Sequence, residues 1–232
     1  MIKRLALICC ILLLPTMAAA ATPEGTTNYG DFWVGGQLVG VFTANRSVDV
    51  TFDGFQNFGF QRRARFNDIK TAAAFGAGAI VGYNFCMPYR QVWERYFGVA
   101  LDFQWNEFRQ WVDNSSMLNG NQFALTFLGR LQYPLLGSER FTRGRIVPFL
   151  MFGPSIVWTN SDFSNVRGDN NTSTDIGIVA EVGLEFFVCP SLSIGPSFRY
   201  RHVFGPNNDF LNVKIDSQLD QFMVLGRLAY HF

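Results

Sequence analysis

The two histidines of this sequence are the side chains best suited to acid–base chemistry, because imidazole changes its charge near neutral pH. His202 ends the run 199–202, Arg-Tyr-Arg-His, and His231 is the last residue but one. Hydrolysis by a serine nucleophile requires a serine that such a histidine can deprotonate. Apolar residues and a glycine follow His202 at 203–205, and neither histidine has a serine at a recognisable spacing. The sequence therefore predicts no catalytic residue.

Metal and nucleic-acid binding are also not predicted. Neither histidine has a second histidine, a cysteine or a carboxylate at the spacing of a metal-binding motif. The formal net charge is +1, whereas a nucleic-acid partner would require a basic face. No cofactor is implied by any motif.

A second group of chemically active side chains consists of charged residues that alternate with apolar ones. A period of two is typical of a β-strand with two different faces. If the polar faces are enclosed, these charges must be paired, because burying an ion costs several kcal/mol. We therefore predict a buried charge network, with Glu181 and Glu185 among Arg199, Arg201 and Arg227. Its members are Asp102, Arg130, Glu181, Glu185, Arg199, Arg201 and Arg227.

The composition favours a lipid environment for the other faces. Only 16% of the 232 residues are charged, whereas soluble domains have roughly 25%. Another 16% are aromatic, including 25 phenylalanines. Aromatic residues favour strands. A chain so rich in aromatic residues and so poor in charge requires an apolar environment other than a water-exposed surface.

The first 21 residues have the three parts of a secretory signal peptide. Lys3 and Arg4 precede an apolar run at 5–14, and small residues follow at 18–21. The apolar run is too short to cross a bilayer, which takes about 20 residues. We predict cleavage after Ala20 or Ala21, which gives a signal peptide at 1–21 and one domain at 22–232. The alternatives are a buried N-terminal element and a lipoprotein signal at Cys10.

Eight segments of the remaining chain alternate apolar and polar residues. They are long enough for tilted strands that cross a membrane, which need about 9–11 residues. Longer connections alternate with shorter ones, as in outer-membrane barrels. The longer connections are polar, except that the first, at 44–70, carries phenylalanines and arginines and is predicted to contain strand. The segments lie at about 32–42, 75–85, 97–106, 122–133, 146–158, 176–188, 192–201 and 221–232.

The last segment resembles the C-terminal signal that the barrel-assembly machinery reads in outer-membrane proteins. Its apolar residues recur at every second position apart from a glycine at 226: Phe222, Val224, Leu228, Tyr230 and Phe232. From 31 to 232 the chain resembles the eight-stranded outer-membrane barrels of the OmpA/OmpX type, without their peptidoglycan-binding domain. The resemblance implies an all-β fold, an eight-stranded antiparallel up-and-down transmembrane β-barrel in the outer membrane of a Gram-negative envelope. It also implies lipid and the assembly machinery as partners.

Cys86 and Cys189 each follow a strand that runs toward the periplasm. The periplasm is oxidising, so a disulfide can form there. A bond requires the two Cα atoms to lie within about 7 Å, and the two strands lie on opposite sides of the barrel. Both a Cys86–Cys189 bond between the turns and two free thiols remain open.

Function is predicted from the barrel interior and the loops. An eight-stranded barrel is just wide enough to be filled by side chains. We expect a non-enzymatic protein with a closed lumen and a structural or surface-interaction role through its long loops. The alternatives are a narrow, porin-like channel, a lipid A-modifying enzyme and a soluble β-sandwich. One lipid A deacylase family has a histidine followed by serine on a late strand, which His202 resembles only in part because that serine is missing.

Overall fold

The computed structural model describes residues 31–44, 47–53, 61–67, 70–71, 73–85, 96–113, 116–136, 144–163, 170–204, 207–210, 213–217 and 219–232. The predicted signal peptide at 1–21 lies outside these ranges. No helix in these ranges is long and apolar enough to cross a membrane.

Eight long strands form one antiparallel sheet that closes on itself. Neighbouring strands follow the chain order, and the last strand returns to pair with the first, which closes the ring. A short strand, β4 (Lys70–Thr71), pairs with the third of these long strands. The predicted eight-stranded antiparallel barrel is confirmed. Its strands are β1 (Asp31–Ala44), β5 (Ala74–Asn84), β6 (Phe97–Asp113), β7 (Ser116–Gln132), β8 (Ile146–Phe163), β9 (Asn170–Cys189), β10 (Leu192–Phe204) and β13 (Leu219–His231).

Alternation along the strands separates an apolar outer surface from a polar interior. Phe75 is 77% exposed and Leu38 is 73% exposed, although both lie within strands. Residues on the opposite face of the barrel strands are mostly buried, and many of these are charged or carry amides. A soluble β-protein buries its apolar face, whereas a membrane barrel turns that face toward lipid.

A second sheet of four strands is built from the two connections that flank β1 and β13. Its order is β11-β12-β2-β3, with β2 (Ser47–Asp53), β3 (Gln61–Asn67), β11 (Asn207–Phe210) and β12 (Val213–Ser217). Strand in the first connection was predicted. The polar connection before β13 was predicted as loop, but it also contains strand, because its backbone pairs with the first connection.

Two other connections are shorter than the sequence predicts. We expected loops at 109–121 and 159–174, yet β6 and β7 pair up to Asp113 and Ser116, and β8 and β9 pair up to Asp162 and Asn170. The alternation ends before the hydrogen bonding does. Beyond the lipid-facing band both faces of a hairpin can be polar, so the pattern no longer marks the strand.

Candidate functional site: the charged lumen

The seven charged residues predicted to form a network lie inside the barrel. Each is at most 3% exposed. They come from five strands, because every second residue of a barrel strand points inward. The seven are Asp102 on β6, Arg130 on β7, Glu181 and Glu185 on β9, Arg199 and Arg201 on β10, and Arg227 on β13.

Arg199 lies at the centre of the largest cluster. Its Nε and Nη2 donate to Oε2 of Glu181 at 2.9 and 2.6 Å. Its Nη1 donates to Oδ2 of Asp102 and to Oε1 of Gln104. One guanidinium therefore binds carboxylates from two strands, and all three charged side chains are fully buried.

Arg227 extends this cluster toward β1. Its Nη2 donates to the second oxygen of Glu181 at 2.7 Å, so Glu181 lies between two guanidiniums. The same nitrogen is 3.4 Å from Oε1 of Gln37. Gln37 in turn donates to Asp102. These side chains, which we call the ionic cluster, therefore form a closed ring of contacts across the lumen. The charges of Asp102 and Glu181 are matched by those of Arg199 and Arg227.

Glu185 has a different partner from the one predicted. We expected it among Arg199, Arg201 and Arg227, but it binds Arg130 of β7 through two hydrogen bonds of 3.1 and 2.7 Å. Both side chains are buried. Strands β7 and β9 both flank β8, so the pair spans one strand, which the spacing in the sequence does not reveal.

Arg201 contacts amides, whereas a carboxylate was predicted. Its Nη2 donates to Oε1 of Gln104 at 2.7 Å, and its Nη1 lies 3.5 Å from Oε1 of Gln221. No carboxylate in the described part of the chain lies within ion-pair distance of it. The amide nitrogen of Gln221 donates to Oε1 of Gln122, and the amide nitrogen of Asn106 donates to the same oxygen. The layer next to the ionic cluster is therefore neutral and amide-rich, apart from Arg201 itself.

An aromatic layer packs against two of the arginines. The guanidinium of Arg130 lies 5.1 Å from the ring centroid of Trp33 and 4.9 Å from that of Phe149. Arg227 lies 5.9 and 5.3 Å from the same two rings. Cations are attracted to the faces of aromatic rings. Large side chains therefore fill the lumen between the ionic cluster and the end at which Asp31 and Phe232 lie.

His231 lies in a hydrogen-bonded chain that sequence analysis missed. Its Nε2 is 2.9 Å from Oγ of Ser193, and its Nδ1 is 2.9 Å from Oδ2 of Asp31. Asn84 donates to the same oxygen of Asp31 at 3.1 Å. We found no serine or carboxylate near His231 along the sequence. Closure of the barrel brings together residues up to 200 positions apart.

His202 also has a carboxylate partner. Its Nδ1 lies 2.7 Å from Oδ1 of Asp220, its cross-strand neighbour, and the hydroxyl of Tyr200 donates to the same oxygen at 2.7 Å. These side chains are on the outward phase of their strands, as predicted for His202. In the described residues, no group of three histidine, cysteine or carboxylate side chains could hold a metal ion.

The residues of the predicted assembly signal follow the outward face of β13. Phe222, Val224, Leu228 and Tyr230 are exposed by 38–53%, and Phe232 is half-buried. The strand pairs with β1 on one side and β10 on the other. Cys189 is half-buried and forms no disulfide bond with a described residue. Cys86 lies outside the described residues, so a Cys86–Cys189 bond stays a prediction.

Comparison with known proteins agrees with this architecture. A family model described as an outer membrane protein beta-barrel domain matches residues 6–232. The chain belongs to the outer-membrane β-barrel family. A search of characterised proteins by sequence gave no match.

Two solved protein structures have the same fold as this chain. The outer membrane protein OprG from Pseudomonas aeruginosa superposes with a TM-score of 0.61 at 17% identity, covering 88% of this chain and 97% of that one. Neisserial surface protein A superposes with a TM-score of 0.51 at 11% identity, covering 87% and 97%. At these identities the likeness concerns the fold alone. Membership of the family supports an outer-membrane location.

Proposed function

We propose that this protein is a non-enzymatic outer-membrane barrel with a closed lumen, which acts through the segments that connect its strands on the outer side. The observation that carries the proposal is the filling of the lumen. Arg199, Glu181 and Asp102 meet across it with no exposed surface, and the next layers on either side consist of amides and of aromatic rings.

Electrostatics also favours a closed lumen over a pore. An ion passing the ionic cluster would have to break charge-assisted hydrogen bonds, which are about twice as strong as neutral ones. Arg199 and Glu181 would then be left buried without their partners, which costs several kcal/mol per ion. A narrow channel is the alternative, and the amide-rich layer around Arg201 is the only described layer of the lumen that resembles a polar conduit.

Partners follow from the two surfaces of the barrel. The exposed apolar side chains, such as Phe75 and Leu38, suit the acyl chains of outer-membrane lipid. The assembly machinery is the proposed receptor of β13, after export with a cleaved signal peptide at 1–21. A surface ligand would meet the connections that form the four-stranded sheet, in which β3 carries Arg62, Arg63 and Arg65.

Planar-bilayer recording tests this proposal. The purified protein is expected to give no discrete conductance steps at concentrations where a wide-pore porin in the same bilayer gives them. Reproducible single-channel steps would contradict the closed lumen and support the narrow channel. Mass spectrometry of lipid A, with and without expression of the protein, should give identical spectra; a new mass difference would favour a lipid A-modifying enzyme.

A further inference from the structure

One hydrogen-bonded chain lies at the barrel end that carries Asp31 and Phe232. It consists of Asn84, Asp31, His231 and Ser193. The first contact is 3.1 Å long, and the other two are 2.9 Å. All four side chains are at most 3% exposed. We refer to these four residues as the terminal relay.

The protons of the terminal relay follow from its chemistry. An ionised carboxylate can only accept hydrogen bonds, so Nδ1 of His231 carries the proton shared with Asp31. In the neutral imidazole, Nε2 is then the acceptor, and the hydroxyl of Ser193 donates to it. The carboxylate of Asp31 accepts from both His231 and the amide nitrogen of Asn84.

Ser193, His231 and Asp31 have the same order of contacts as the triad of a serine hydrolase. A nucleophile must also reach a carbonyl carbon, and Ser193 is only 1% exposed. Phe187 lies 4.7 Å from the imidazole, measured between ring centroids, and Trp33 stacks on it at 6.2 Å. The packing leaves no room for a substrate, so the relay requires a different role.

The position of the terminal relay in the sheet indicates that role. Its members lie on β5, β1, β13 and β10, which are four consecutive neighbours around the barrel. These strands meet in three pairings, β1–β5, β1–β13 and β10–β13, which we call seams. The β1–β5 and β10–β13 seams are joined by the chain only at the far end of the barrel, and the β1–β13 seam is joined at neither end. The β5–β6, β7–β8 and β9–β10 pairs, in contrast, each have a connection at the relay end.

We infer that the terminal relay is a clasp that holds the seam between the first and last strands closed at the relay end, where none of the three seams has a covalent connection. Side-chain hydrogen bonds replace the missing turns across three successive seams. Loss of Asp31 or of Ser193 removes the relay partner of one buried ring nitrogen of His231. An unsatisfied buried group costs more than the hydrogen bond itself contributes. Opening of the barrel from this end therefore requires the relay to break first. This inference does not depend on whether the lumen conducts.

The test compares Asp31→Asn and Ser193→Ala with Thr126→Val. Thr126 and Ser155 form a buried hydrogen bond of 2.9 Å between β7 and β8, so the control also removes one buried contact but lies away from the seam. In full-length protein folded in detergent, Asp31→Asn should speed loss of the heat-modifiable band about tenfold, which corresponds to about 1.4 kcal/mol. Ser193→Ala should have a smaller effect in the same direction, and it carries the test if Asp31→Asn fails to fold.

Hydrogen exchange separates a clasp from general destabilisation. In both relay variants, the backbone amides of the β1–β13 pair should exchange faster, while those of the β8–β9 pair remain protected. The Thr126→Val control should leave the β1–β13 amides unchanged. Uniform exchange across all strands in the relay variants would overturn the clasp. Labelling of Ser193 by a fluorophosphonate in the folded wild-type protein would also overturn it, because that reaction requires an accessible nucleophile.

Discussion

Arg130 and Glu185 bind each other across β8 through two parallel hydrogen bonds, 55 residues apart in the chain. Neither side chain is more than 2% exposed. Replacing Glu185 with leucine leaves the Arg130 guanidinium buried without its counter-charge. We expect this change to destabilise the barrel by about 3–5 kcal/mol. Urea unfolding in detergent, followed by the loss of the heat-modifiable band, measures the change.

The double variant Arg130→Met/Glu185→Leu is the matched control for this pair. Replacing both ions with apolar side chains removes the unpaired charge and its desolvation cost. Its stability should therefore lie closer to wild type than that of Glu185→Leu alone. Additive losses in the double variant would contradict the pairing.

Arg199 and Arg201 offer a second matched comparison. They lie two residues apart on β10, and both are fully buried. Arg199→Met leaves Asp102 with only the amide of Gln37 and Glu181 with only Arg227. Arg201→Met removes a hydrogen-bond donor only from the neutral amides of Gln104 and Gln221. Arg199→Met should therefore be the more destabilising substitution, by about 2 kcal/mol or more, because buried charges cost more than buried amides. Equal midpoints in urea would argue against the ionic cluster.

Gly82 faces the indole of Trp33, its cross-strand partner on β1. A Cβ placed at Gly82 would overlap the Trp33 ring, whereas a Cβ at the outward Gly36 would meet nothing within 4 Å. Gly82→Ala should destabilise the barrel by about 1–3 kcal/mol because overpacking forces neighbours to shift. Gly36→Ala should leave the unfolding midpoint nearly unchanged. Trp33 fluorescence should also shift in Gly82→Ala and remain constant in Gly36→Ala.

Val182 and Val179 distinguish the two faces of β9. Val182 is 55% exposed and Val179 is fully buried. In otherwise cysteine-free protein, a cysteine at 182 should react with a membrane-restricted maleimide, and a cysteine at 179 should not. The opposite pattern would mean that the apolar face points inward. Val182→Arg should in addition cost about 2–4 kcal/mol if this site lies near the bilayer midplane.

The fold could be predicted from the sequence because two-residue periodicity runs along much of the length of the eight barrel strands. Phe75, Val182 and Leu228 lie on the apolar phase and face outward, and Asp102, Glu181 and Arg227 lie on the opposite phase and face inward. Phase alone fixes which face a residue occupies. It does not fix how high a residue lies in the lumen relative to residues of non-adjacent strands.

The partners within the lumen could not be predicted for that reason. Glu185 is four residues from Glu181 on β9, yet the two bind different arginines, because strand tilt and stagger place them in different layers. His231 has no local sequence feature that points to Asp31 or Ser193, because their contact depends on ring closure. The strands near Asp113 and Ser116 were missed because apolar alternation stops where lipid contact stops.

The pairing of Trp33 with His231 has a consequence for biosynthesis. Strand β1 is synthesised first, but its partner β13 is synthesised last. A nascent or truncated chain that stops before β13 therefore keeps an unpaired β1 edge. Such a product would expose the amide groups of that edge and the ions meant for the interior. It would be a target for periplasmic proteases and chaperones, which could thereby distinguish complete translation products from interrupted ones.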